Sequence, residues 1–268
     1  MSKQIQMSFE FLPTKTDAGA EKLITVHKEL QLLNPEFFSV TYGAGGSTRE
    51  RTLSTLNDFN GKGTPVAPHL SCIGDSKERI AELLDLYKSQ GIDRIVALRG
   101  DLPSGQVGLG ELPYAQDLVH FIREHSGDHF HIEVAAYPEM HPQADSFDQD
   151  IQRFCEKANA GANAALTQFF FNPDAYFYFV DRIQREGVNI PVAPGIMPIT
   201  NASNLIRFAD GTGAEVPRWI RKQLATYGDD TASIKAFGHE VIVKLCERLI
   251  AGGAPSLHFY TMNTTDPT

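Results

Sequence analysis

Eight short apolar runs punctuate the chain: "SFEFLP", "FFSVTYG", "VAPHLSC", "RIVALRG", "IEVAAYP", "ALTQFFF", "VAPGIMP" and "LHFYTMN". Most are rich in Val, Ile, Phe or Tyr, and each ends at or near a polar or turn residue. Such runs read as parallel strands covered on both faces. Between them the apolar period changes to that of a helix. In "SKERIAELLDLYKSQGI", Ile80, Leu83, Leu84 and Tyr87 share one face, with Ser76 as N-cap and Gly91 as the stop. In "SFDQDIQRFCEKANAGA" the face is Ile151, Phe154, Cys155 and Ala158, and Gly161 follows. Similar helices are expected at Asp17–Leu33, Thr48–Phe59, Tyr114–His125, Pro173–Glu186, Asn201–Asp210 and Ile234–Ala251. "VPRWIRKQLATYG" predicts an extra helix before the last one.

Eight strands, each but the last followed by a helix, predict an α/β chain folded as a (β/α)8 TIM barrel. The final helix precedes the final strand. An open doubly wound sheet is the alternative, but it would bring a Gly-rich first turn, and "SFEFLPTKT" has none. No Pro/Ser linker or charge run divides the chain, so residues 1–268 read as a single domain.

The length of 268 residues and 42% hydrophobic content support one large core. A formal net charge of −9 argues against non-specific binding to nucleic acid or to an anionic membrane. Cys72, Cys155 and Cys246 are odd in number and far apart, so neither a disulfide framework nor a structural zinc site is expected. No His/Cys/Asp cluster has metal-ligand spacing, and no metal is proposed. "MSKQIQMSFEF" has no long apolar segment, and no run is long enough to span a bilayer; the expectation is a soluble, cytoplasmic protein.

In such a barrel the active site lies at the C-terminal ends of the strands. Glu10, Thr41, Tyr42, His69, Arg99, Asp101, Tyr137, Glu139, Gln168, Tyr260 and Asn263 fall there. A structural core avoids so many polar groups, because each one buried without a partner costs about 1–3 kcal/mol. "TYGAGGST" could cradle a phosphate, but it is neither GxGxxG nor a P-loop, and a plain strand-to-helix turn fits its spacing equally well. Glu10 stands between Phe9 and Phe11. Burial between aromatics should raise its pKa and keep it protonated near neutral pH, as a general acid requires. A buried ion pair with Arg or Lys is the blander reading.

"SFEFLP", "FFSVTYGAGGSTRERT", "APHLSC", "IVALRGDLP", "VAAYPEMHP", "AGANAALTQFFF", "PGIMPITN" and "HFYTMN" together resemble the methylenetetrahydrofolate reductases, in the same order and over nearly the whole chain. "LRGDLP", "AAYPEMHP" and "TQFFF" are the most specific matches. The resemblance implies a barrel holding FAD that reduces 5,10-methylenetetrahydrofolate to 5-methyltetrahydrofolate with NADH or NADPH. It implies ping-pong hydride transfer through FAD N5, and a supply of methyl groups to methionine synthesis. Glu10 matches the family's catalytic acid, thought to protonate N10 of the folate. Asp101 matches a catalytic aspartate near flavin and pterin, and Gln168 an amide that meets both the pterin and the nicotinamide. Phe208 matches an aromatic that stacks on substrate, and Asn204 a polar position beside the pterin. Thr41 and Tyr260 complete the implied substrate set. The implied FAD set is Thr41, Tyr42, Ala44, His69, Arg99, Gly100, Asp101, Tyr137, His141, Ala144, Asp150 and Lys157, with Arg99 and Lys157 suited to the pyrophosphate or ribose.

The chain also departs from the family. Arg153 and Glu156 stand where bacterial members often have asparagine and arginine, so FAD contacts from that helix are expected to differ. Thr264 stands where an arginine can meet the folate's aminobenzoyl-glutamate end. The regulatory domain of eukaryotic members has no counterpart here, so inhibition by S-adenosylmethionine is not expected. A homo-oligomer is implied, and the residues do not distinguish NADH from NADPH. Two other readings compete. A flavin-free pterin barrel that transfers a methyl group would not need Tyr42, His69, Arg99, Tyr137, His141 or Lys157. A non-catalytic folate-binding protein would not need Glu10.

Overall fold

The computed structural model describes residues 5–42, 46–101 and 108–268, and the side chains of all of these except 46–49. The strands are β1 Gln6–Phe11, β2 Phe37–Val40, β3 Val66–Ser71, β4 Arg94–Leu98, β5 His131–Ala136, β6 Ala164–Thr167, β7 Val192–Ala193, β8 Gly195–Ile196 and β9 Ser256–Tyr260. They form one sheet in the order β7-β6-β5-β4-β3-β2-β1-β9-β8, with parallel pairing throughout.

The run "VAPGIMP", expected as one strand, is split into β7 and β8. Pro194 lies between them and has no N–H to give the ladder. Its carbonyl still accepts from His258 N at 3.0 Å. Because β7 pairs with β6 and β8 with β9, the segment closes the sheet into a ring. The chain is therefore a TIM-type barrel, and an open doubly wound sheet is ruled out. Gly195 is required at this seam: a Cβ there would lie 2.2 Å from Thr167 O.

The helices are α1 Asp17–Gln31, α2 Gly46–Phe59, α3 Lys77–Ser89, α4 Ala115–Ser126, α5 Phe147–Asn159, α6 Pro173–Arg185, α7 Ala202–Thr212, α8 Arg218–Tyr227 and α9 Thr231–Ala251. All were expected, with bounds that move by a few residues. The caps explain where they start: Ser76 Oγ accepts from Arg79 N, and Ser146 Oγ from Gln149 N. Ile80, Leu83, Leu84 and Tyr87 are buried, as are Ile151, Phe154 and Cys155; Ala158 is half-buried.

The main core lies between the barrel wall and its helices. A second apolar layer, including Phe169, Phe171, Leu205, Ile220 and Ile234, seats α7, α8 and α9 beside the strand ends. Inside the ring, Phe37, Ala67, Val96, Leu166 and Ala193 pack together. At its N-terminal end the Arg94 guanidinium lies 2.7 Å from Glu36 Oε1 and 2.8 Å from Glu133 Oε1, and 4.4 Å from the centre of the Phe37 ring. Among the described residues no helix is long and apolar enough to cross a membrane.

Candidate active site

Alternation along β1 decides where Glu10 points. Successive strand residues face opposite sides. Phe9 and Phe11 turn outward, where Phe9 meets Phe38 and Phe259, and Phe11 meets Phe38 and Phe59. Glu10 turns inward and lines a cavity of about 280 Å³ at the C-terminal end of the ring. Its sequence neighbours are thus not its spatial neighbours.

What surrounds the carboxylate is a pair of imidazoles. Glu10 Oε2 lies 3.3 Å from His69 Nε2, on β3, and 3.7 Å from His258 Nε2, on β9. Burial alone would raise the Glu10 carboxyl. His258 and His69 outweigh it and hold the group down at about 2. This corrects the expectation of a raised pKa, and the expected Arg or Lys alternative is also replaced by histidines. The other ring nitrogen of His258 is 2.7 Å from Ser8 Oγ.

The same cavity gathers Tyr137 from after β5, Gln168 from after β6, Phe208 from α7 and Tyr260 from β9. Tyr260 donates its hydroxyl to Thr167 O at 2.6 Å, and burial raises its pKa well above the usual phenol. Gln168 Oε1 accepts from Phe169 N at 3.0 Å. An adjoining cavity of about 360 Å³ shares Met197, Phe208 and Met262 and is also lined by Asn204, Lys235 and Thr264. Asn204 and Phe208 sit four residues apart on α7, on one helical face.

The expected cofactor residues lie around the rim. Thr41 and Tyr42, half-buried, follow β2, and Thr41 N donates to Phe11 O. Arg99 Nη2 donates to Gln143 Oε1 at 2.7 Å. Gly100 has φ +83°, and a Cβ there would collide with Ser71 Oγ at 1.8 Å. Tyr137 and His141 meet edge to face at 4.4 Å. His141 N donates to Asp150 Oδ2 at 2.8 Å, and Ala144 N to His141 O at 2.9 Å, so Asp150 and Ala144 hold the loop's shape. Asp101 is exposed, and it joins burial in raising the Tyr137 hydroxyl. Ala44 lies outside the described residues. Arg153 and Glu156 are exposed on α5.

Lys157 is the informative member. Its Nζ donates to Ala135 O at 2.5 Å, and burial lowers it to about 8. Among the described residues no carboxylate lies within ion-pair distance of Lys157 or Arg99. Two cations without a carboxylate, beside a glycine and an aromatic pair, fit the phosphates and ring of a flavin dinucleotide.

Two expected residues do other work. The Asn263 amide brackets Leu12, accepting from its N–H at 2.9 Å and donating to its carbonyl at 2.8 Å; it ties the end of β9 to that of β1. Glu139 Oε2 accepts from Glu215 N at 2.8 Å and seats the segment between α7 and α8. His258 and Ser8 were not anticipated. The signal was present, since each stands two residues before an expected inward side chain, Tyr260 and Glu10. Met197 and Met262 carried no such signal.

A family model described as methylenetetrahydrofolate reductase matches residues 1–268. A protein of Escherichia coli named 5,10-methylenetetrahydrofolate reductase is 39% identical over 264 residues, covering 98% of this chain and 88% of its own. One of the same name from Pectobacterium carotovorum is 40% identical over 264 residues, covering 98% and 87%. Methylenetetrahydrofolate reductase (NADH) 1 of Arabidopsis thaliana is 36% identical over 274 residues, covering 97% of this chain but 46% of its own. Among solved structures, a Clostridium thermocellum protein that binds two copies of 5-methyl-5,6,7,8-tetrahydrofolic acid superposes with a TM-score of 0.66 at 16% identity, covering 95% of this chain and 87% of that one.

Proposed function

The chain belongs to the methylenetetrahydrofolate reductase family, and we propose that it reduces 5,10-methylenetetrahydrofolate to 5-methyltetrahydrofolate, with FAD as cofactor and NADH or NADPH as electron donor. The observation that carries this reading is one cavity into which separate elements bring an acid, an amide and an aromatic: Glu10, Gln168 and Phe208. FAD, when bound, supplies the hydride relay between nucleotide and folate. Arg99 and Lys157 hold its phosphates, and Tyr42, His69, Tyr137 and His141 border it. Glu10 delivers the proton that opens the folate's five-membered ring. Gln168, with both donor and acceptor, pairs the pterin edge or the nicotinamide amide in turn. Phe208 stacks on the ring system, and Asn204 and Thr41 meet its polar edge. Asp101, at the rim near Tyr137, stabilises positive charge on the folate electrostatically.

A second reading is favoured by the Clostridium neighbour, which binds methyltetrahydrofolate. A flavin-free barrel of that kind has no use for two cations without carboxylate partners. Colour decides first. The purified protein should be yellow, bleach with NADH or NADPH without oxygen, and regain absorbance on adding methylenetetrahydrofolate. A colourless protein that binds methyltetrahydrofolate would support the second reading. Glu10→Gln should keep flavin reduction and lose roughly 10²–10⁴-fold in folate-dependent reoxidation. Reoxidation at the wild-type rate would remove Glu10 from the chemistry.

A further inference from the structure

Two buried nitrogens face one carboxylate oxygen without a hydrogen bond. His69 Nε2 and His258 Nε2 both lie near Glu10 Oε2, and neither has a hydrogen-bond partner. His258 is wholly buried. Each nitrogen has the Glu10 carboxylate as its ion-pair partner, a service to that acid which an apolar residue in either place could not give. The second nitrogen of a histidine sets what the first can do. Here Nδ1 meets the Ser8 hydroxyl, itself buried. A hydroxyl both donates and accepts. When it donates to Nδ1, the neutral ring carries its proton on Nε2, toward Glu10. When Nδ1 is protonated too, the serine oxygen accepts and the ring is an imidazolium. Ser8 therefore supports both protonation states of one fixed ring.

The proposed reaction asks Glu10 to give up a proton, yet the resting group is a carboxylate. The proton must then be stored beside it. We propose that His258, oriented by Ser8, is a positioning residue that stores this proton together with His69 and passes it to Glu10 when substrate covers the cavity. This rests on the function proposed above. In the step, the imidazolium Nε2–H bond breaks as an O–H bond forms on Glu10, leaving a neutral imidazole and a neutral carboxyl. Covering the cavity removes water, which favours the neutral pair over the charged one. The carboxyl O–H then breaks as N–H forms on the folate, and the carboxylate returns. His69, which lines the cavity, takes the replacement proton from solvent.

The groups facing this centre are few. Among the described residues, Tyr260 on β9 and Tyr137 after β5 complete the titratable lining around Glu10. Phe37 stacks on His258 at 5.9 Å and also meets Arg94, which is already paired with Glu36 and Glu133. Among the described residues no lysine or arginine pairs with Glu10, and no group of His, Cys, Asp or Glu is arranged to hold a metal ion.

The test compares His258→Asn, which removes Nε2 but leaves an amide for Ser8, with Ser8→Ala, each in the flavin-loaded protein. Single-turnover rates of nucleotide-dependent reduction and folate-dependent reoxidation are measured from pH 5 to 9, roughly the span over which histidines titrate. His258→Asn should slow reoxidation roughly tenfold to a hundredfold more than reduction, and move the basic limb of the reoxidation profile to lower pH. Ser8→Ala should do the same more weakly, and decides alone if His258→Asn does not fold. An unchanged profile and ratio, or an equal loss in both steps, overturns the proposal. A wild-type protein that folate cannot reoxidise overturns the function instead. The relay is then judged by nitrogen NMR of the histidines: Glu10→Gln should make both imidazoles lose their protons at lower pH, and unchanged titrations would sink it.

Discussion

Arg94 and Lys157 are both cations set against the barrel wall, one toward each end. Arg94, at the start of β4, is bonded to two carboxylates and covered by Phe37. Lys157 gives its ammonium to a backbone carbonyl; Asp150 acts on its charge from beyond ion-pair distance, and among the described residues no carboxylate is bonded to it. The same contrast runs through the two ends. Toward the N-terminal end, charges are matched from within the chain. Toward the C-terminal end, Lys157, His69 and His258 keep capacity in reserve. The closed end has its charges paired inside the fold, and on the function proposed above the open end is shaped for charges that arrive from outside.

Arg94→Met should break the closed end. It leaves Glu133, which is 2% exposed, with only the half-exposed His131 ring at 3.3 Å, and removing the guanidinium from a buried pair costs up to about 3–5 kcal/mol. Denaturant unfolding should show that loss, while the folded fraction keeps its ligand affinities. A loss below about 1 kcal/mol would mean that the cluster does not hold that end. Lys157→Met should do the opposite. The flavin-free protein should be as stable or more so, while FAD affinity falls roughly 10- to 100-fold, the worth of one charge-assisted hydrogen bond. Reduced stability with unchanged FAD affinity would make Lys157 a structural residue.

His27 tests whether an unpartnered buried group must belong to a site. It lies on α1, stacked on Phe59 at 4.1 Å, with Nε2 unpaired. Burial, with smaller contributions from Lys62 and Lys28, lowers it from 6.5 to about 4. The fold accepts only the neutral ring, whereas the unfolded chain binds a proton near 6.5. The stabilisation is present above that pH and is lost as pH falls from 6.5 toward 4, by about 1–3 kcal/mol. His27→Leu should flatten that part of the stability curve. Glu10 contributes in a separate window, losing its share between 4.5 and about 2. An unchanged curve in His27→Leu would show that the ring is solvated in the folded protein.

The smallest effect is expected at Gln168. Its oxygen is already used by Phe169 N, so Gln168→Ala should weaken both half-reactions by roughly 3- to 10-fold, folate the more. If one cavity serves both substrates, steady-state plots at several nucleotide concentrations give parallel lines. Intersecting lines, with a variant impaired toward only one substrate, would mean two sites.

Much of this was legible in the chain because barrel strands and helices announce themselves locally. Caps such as Ser76 and Ser146, and faces such as Ile80–Tyr87, depend on neighbours a few residues away. The acid at Glu10 was legible too, as a charge where an apolar residue was expected. Its environment was not, because Phe9 and Phe11 adjoin it in sequence but face the opposite way. Its real companions come from β3 and β9, and nothing local to "SFEFLP" encodes them. The split at Pro194 was misread for a related reason: the run is apolar enough for a strand, and only the missing N–H interrupts its ladder.

The pairing of β1 with β9 has a consequence for how the protein is made. Ser8 and His258 are 250 residues apart, and β8, which completes the ring, docks on β9. A ribosome releases β1 first and β9 almost last, and domains fold as their parts emerge. Through most of synthesis β1 therefore waits as an exposed strand edge with its acid lacking one of its two imidazoles. Contacts between chain ends also carry the highest loop-closure cost, so the seam is expected among the last joints to form. The proton chemistry proposed for the site would thus come into being only when the whole barrel does, and an interrupted chain ending before β9 holds Glu10 without His258.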